Sequence, residues 1–140
     1  MISYPAKIIY DRSDHAYLVE FPDLPGCVTY AKTMEKAQYN AQEALSLYLE
    51  SIDQRSEQIP PPSKRTGRNY YPIKPDKPVA FAIWLKNQRA KHGYSQKDVA
   101  RRLGISYQTY QRFEDPKTSN PTLKTIQKLE IVFKRELIAV

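Results

Sequence analysis

The chain has 140 residues, 41% of them hydrophobic, and a formal net charge of +7. That length holds one ordinary domain or two small ones, and that apolar content excludes wholesale disorder. Cys27 is the only cysteine, which excludes a disulfide framework or a cysteine-built zinc site within one chain, and no apolar run approaches the length of a bilayer span.

Met1 to Lys7 lacks a charged stretch followed by an apolar one, so no signal peptide is expected and a cytoplasmic location is. Tyr4, Ala6, Ile8 and Tyr10 alternate with Pro5, Lys7 and Ile9, the period of a strand. Asp11 to His15 is a polar turn, and Ala16 to Phe21 is a second β-rich run, so the pair reads as a hairpin. Pro22-Asp23-Leu24-Pro25-Gly26 breaks the sheet, because two prolines fix φ and a glycine admits positive φ. A short strand resumes over Cys27–Ala31. Thr33 is a good N-cap for a helix over about 34–53, whose apolar stripe is Ala37, Ala41, Ala44, Leu45, Tyr48, Leu49 and Ile52, with Ser46 on the polar side.

Six of the eleven prolines fall between residues 59 and 78, which ends the helix and favours extended chain. Asn69–Ile73 suits an edge strand, where Pro72 is tolerated. These elements predict an α+β domain over 1–73, a small antiparallel sheet with one packed helix, followed by a linker at 74–78.

From Val79 the period is helical, with helices expected at 79–92, 96–103, 107–114 and 122–133. Gly93 and Gly104 fall where helix ends need a left-handed residue, Ser95 and Ser106 are N-cap candidates, and Pro121 suits a first helical turn. The last residues, Glu136-Leu137-Ile138-Ala139-Val140, are apolar and β-prone. The expectation is a terminal strand that pairs with its copy in a second chain, making a homodimer or higher homo-oligomer from a 79–140 domain. Charge separates the halves. Residues 1–63 carry 5 Lys/Arg against 9 Asp/Glu, and residues 64–140 carry 17 against 6. A basic half suits nucleic acid, whose phosphates supply most non-specific affinity.

Ser95 to Glu114 carries the main functional signal. A helix-turn-helix needs a small residue within its first helix, here Ala100, and a glycine at the turn, here Gly104. It also needs apolar anchors, here Val99, Leu103, Ile105, Tyr110 and Phe113. The segment 79–133 resembles the DNA-binding domain of the phage-repressor and Cro family, the XRE type. That resemblance implies operator double-stranded DNA as a partner. It implies a phosphate contact from Gln96 and a recognition face formed by Ser106, Tyr107, Gln108, Thr109, Gln111 and Arg112. It also matches Arg89 and Glu114 to an acidic–basic pair that ties helices together in some members. Tyr107 departs from the small or amide residue common at its position.

Phe21 to Ala31, Thr33 to Ala37 and Asn40 to Leu45 resemble the HicB antitoxin family, over about residues 3–62. The resemblance implies a small HicA-type toxin, an RNA-cleaving enzyme, as partner, and the strand-strand-strand-helix order resembles part of a ribonuclease H-like fold. The chain would inhibit that toxin and repress its own operon. Two other readings compete. One is a ligand-sensing repressor without a toxin. The other is a metal-dependent nuclease built on Asp11, Asp14, Glu20 and Asp23, although these carboxylates lie mainly in turns. Asp23 reads better as a turn stabiliser, Cys27 as a small core residue, and His15 and His92 as surface residues. No catalytic residue, metal or cofactor is expected.

Overall fold

The computed structural model describes residues 2–134, and the strand expected at 136–140 lies outside them. The chain divides into two compact units at Asp76/Lys77.

The first unit is α+β. Strands β1 (Tyr4–Asp11), β2 (Ala16–Glu20), β3 (Val28–Ala31) and β4 (Tyr70–Ile73) form one antiparallel sheet in the order β3-β2-β1-β4. Helix α1 (Met34–Gln54) packs on one face. β4 takes an edge, where Pro72 removes no interior ladder bond. The inner face carries Tyr4, Ala6, Ile8 and Val19, all buried. Tyr10 was expected among them, but at the hairpin end it is exposed and sets its ring edge-on against Tyr17.

Thr33 caps α1 by accepting from the Lys36 amide, as its residue type predicts. Ala37 and Ala41 are fully buried, which lets the helix lie close to the sheet. Ala44 and Tyr48 flank the stripe half-buried, and Tyr48 donates from its hydroxyl to the Pro25 carbonyl. Ser46 departs from the expected pattern. It is buried because its hydroxyl donates to the Gln42 carbonyl and accepts the Asp76 amide, while the Gln42 side chain donates to the Lys74 carbonyl. Residues 74–76 are thus tied to α1.

The proline-rich segment before β4 is anchored twice. The buried Tyr4 hydroxyl donates to the Pro60 carbonyl at 2.5 Å. Asp23 accepts from both the amide and the hydroxyl of Ser63. Asp23 therefore does more than stabilise its own turn: it pins a segment forty residues on. At the opposite sheet edge, the Asn40 side chain donates to the outward-facing Tyr30 carbonyl at 2.9 Å.

The second unit holds α2 (Lys77–Lys91), α3 (Gln96–Leu103), α4 (Tyr107–Glu114) and α5 (Leu123–Phe133). Phe81, Leu85, Val99, Leu103, Tyr110, Leu129 and Phe133 form its core. Thr122, not Pro121, borders the last helix, because its hydroxyl accepts the Thr125 amide and so caps the turn. Counted over the units, residues 2–76 hold 9 Lys/Arg against 10 Asp/Glu, and residues 77–140 hold 13 against 5. The acidity of the front half is thus nearly cancelled within the first unit by Lys64, Arg65, Arg68 and Lys74.

Candidate nucleic-acid interface

Helices α3 and α4 are set by short local rules. Ser95 and Asp98 form a reciprocal capping box at the start of α3. Gly104 ends α3 in the left-handed region at φ +71°, and Ser106 starts α4 by accepting the Thr109 amide. Ala100, almost fully buried, leaves room for α4 to approach α3. The anchors Val99, Leu103 and Tyr110 are buried, while Ile105 and Phe113 pack half-buried against the same core.

This scaffold leaves Gln108, Thr109, Gln111 and Arg112 exposed on α4, with Tyr107 half-buried at its start. Positions 107, 108, 111 and 112 share one helical face by their spacing. The sequence-predicted residues are not equally available. Ser106 is committed to capping: its hydroxyl also donates to the Thr109 hydroxyl at 2.8 Å. Gln96 is half-buried. Its carbonyl oxygen accepts the Tyr107 hydroxyl at 3.2 Å, and its amide donates to Glu114 at 3.2 Å.

Glu114 is the hub of this network. It is 2% exposed and receives two parallel hydrogen bonds from Arg89, Nε to Oε2 at 2.7 Å and Nη2 to Oε1 at 3.0 Å. Arg89 also donates from Nη1 to the Tyr94 carbonyl. The hydrogen bond to Glu114 holds the guanidinium above its ordinary range. Burial, with a smaller contribution from neighbouring Glu114, holds the Tyr110 hydroxyl well above the usual phenol range. A carboxylate this deep is tolerated because a planar, delocalised cation meets both its oxygens. The network fixes α2, the start of α3 and both ends of α4 to one another, so the exposed face of α4 is held rigidly.

Sequence reasoning did not single out Lys97, which lies over the Tyr107 ring at the start of this face. Elsewhere on α3, Arg102 lies over the Tyr94 ring and Arg101 pairs with Asp98. His92, expected at the surface, is exposed, but its ring contacts those of Tyr94 and Phe133 and its Nδ1 lies 2.9 Å from the Gln88 carbonyl.

Two of the four carboxylates weighed for a nuclease have other tasks. Asp11 accepts from the amide and hydroxyl of Ser13, which lowers its pKa, and Asp23 holds Ser63. Among the described residues no group of three or more His, Cys, Asp or Glu is placed to hold a metal. Burial pushes the Cys27 thiol up to about 11, the condition of a core residue rather than a nucleophile. No helix among the described residues is long and apolar enough to cross a membrane.

Comparisons with known proteins place both units. The model of the HicB_like antitoxin of bacterial toxin-antitoxin system matches residues 4–71, and a helix-turn-helix model matches residues 85–139. Antitoxin HicB 2 of Photorhabdus laumondii is 31% identical over 109 residues, 78% of this chain and 75% of that one. Antitoxin HicB of Escherichia coli is 29% identical over 101 residues, 72% of each chain. A UPF0150 protein of Thermoplasma acidophilum is 43% identical over 53 residues, 38% of this chain and 77% of that one.

Proposed function

The chain belongs to the HicB-like antitoxin family, and from that premise we propose that it is the antitoxin of a two-component system. Its first unit binds and neutralises a HicA-type toxin that cleaves RNA. Its second unit binds operator DNA and represses the operon that encodes both proteins. The observation that carries this reading is the pairing, in one chain, of an antitoxin-type unit with a helix-turn-helix whose exposed face is polar and carries Arg112.

On this reading α4 enters the major groove. Arg112 and Gln108, one turn apart and exposed, read base edges: arginine suits guanine O6 and N7, and glutamine suits adenine N6 and N7. Gln111 and Thr109 flank them. Gln96 and Tyr107, already joined, meet the backbone at the start of the face. Ser106 contributes through its cap, which aims the α4 N-terminus and its unpaired amides at phosphate. The role is that of a regulator without catalysis.

The reading is tested by mixing the purified chain with the small basic protein encoded beside it and following RNA cleavage, then footprinting the chain on its own promoter. Suppressed cleavage and a protected operator are expected. Unchecked cleavage in the presence of folded chain refutes the antitoxin role, and an unprotected promoter refutes the repressor role.

A further inference from the structure

The face of the first unit's sheet opposite α1 is not the polar surface that an open antiparallel sheet normally turns to water. The registers Ile9↔Leu18 and Leu18↔Tyr30 align three large side chains into one rung across three strands. All three are exposed: Ile9 42%, Leu18 43% and Tyr30 65%. Val28, in the adjacent rung with Glu20 and Lys7, is 61% exposed. Strand alternation puts all of these on the side away from Ile8 and Val19, which are buried.

Charge identifies what covers this face. A shallow groove there is lined by Lys7, Ile9, Asp11, Arg12, Leu18 and Glu20. Its two bases and two acids cancel, which suits neither a polyanion nor a strongly basic protein. Their order along the strands matters more. On β1 the basic Lys7 and the acidic Asp11 sit two residues either side of Ile9, and β2 places Glu20 level with Lys7. A half-turn about an axis along the Ile9–Leu18–Tyr30 rung exchanges the two ends of every strand. It sets Lys7 of one copy against Asp11 of the other and lays the rung upon itself.

We propose that the first unit pairs with a second copy of this chain, sheet face to sheet face, about a two-fold axis along the Ile9–Leu18–Tyr30 rung. The contact is isologous and buries one apolar layer, as in aligned sheet packing. It goes beyond antitoxin and operator binding and uses no residue of the α4 face. It also does not depend on the C-terminal tail.

Sedimentation equilibrium of the full chain tests it. The wild-type chain is expected to associate, and Leu18→Glu, at a half-exposed position, is expected to halve the assembly mass with an unchanged circular dichroism spectrum. Leu18→Thr keeps strand propensity and is expected to weaken association by at least about tenfold. Lys7→Glu is expected to weaken it as well, and adding Asp11→Lys to restore it, because the proposed axis pairs these two positions. A monomeric wild-type chain overturns the proposal. So does an unchanged mass in both Leu18 variants, or a charge swap that leaves the Lys7→Glu defect in place. Retained mass with loss of toxin inhibition in Leu18→Glu assigns the face to the toxin and equally overturns it.

Discussion

Glu114 is a buried carboxylate whose oxygens are met by Arg89 and Gln96, so removing it strands a guanidinium, while removing Arg89 strands a charge in the core. Glu114→Ala is expected to cost the second unit about 3–5 kcal/mol, read from a denaturation curve followed by the single tryptophan, Trp84. A curve superimposable on wild type contradicts the role of the pair. Arg112→Ala and Gln108→Ala belong to a different class, since both residues are exposed and hold no core contact. Each should leave stability unchanged and weaken operator binding by about 1–3 kcal/mol, with a smaller effect on unrelated DNA. Titration with operator and scrambled duplex distinguishes these outcomes. Tyr4 carries a pH dependence. Burial, with a smaller contribution from Asp23, pushes its hydroxyl up to about 12. The folded state therefore retains the proton longer than the unfolded chain does, so stability is complete below the unfolded value of 10.0 and falls as pH rises through 12. The loss should be at most about 3 kcal/mol. Tyr4→Phe should remove that slope and cost about 1 kcal/mol at neutral pH for the lost bond to Pro60. Urea midpoints of the strand-rich unit at pH 8 and at about pH 11, the middle of the expected window, check both effects.

Among the elements, those with a local cause were legible in the sequence. Thr33, Ser95 and Ser106 cap because a short hydroxyl before a periodic apolar run has an amide within reach, and Gly104 turns because it tolerates positive φ. Gly104→Ala is expected to cost about 1–2 kcal/mol from backbone conformation alone, since no neighbour lies where a Cβ would stand. A much larger loss in a thermal melt would point to a hidden clash. What the sequence did not disclose depends on partners far along the chain. Ser46 reads as a polar-face residue until Asp76 returns to it, and Asp23 reads as a turn residue until Ser63 arrives. The Gln96–Tyr107 bond joins two residues that motif reasoning had assigned separately to DNA. Local patterns carry period and caps; they do not carry the meeting of distant side chains.

At the scale of the molecule, charge was read at the wrong boundary. The acidic excess of residues 1–63 does not survive to Asp76, where the count is 9 basic against 10 acidic residues. Attraction between a net-acidic unit and a basic toxin is therefore a weak force, and shape and local charge must carry that recognition. The second unit keeps its surplus, 13 against 5 over residues 77–140, so operator affinity should fall steeply as salt is raised, with a slope close to the number of phosphates neutralised. A flat salt titration would argue against a phosphate-tracking surface. Residues 1–76 alone should bind the toxin and stop its RNA cleavage, and residues 77–140 alone should do neither. A folded front fragment that leaves cleavage unchecked contradicts that division.

The Asn40 amide on the Tyr30 carbonyl bears on whether such a molecule remains a finite particle. A contact between sheet faces about a two-fold axis is used up once two copies meet. A bare strand edge has no such limit, because each added strand offers a new edge to the next and the stack lengthens without closing. By occupying an outward-facing acceptor on the short strand β3, Asn40 removes one rung of that template. Without that bond the sheet would offer a longer open edge to fibre growth.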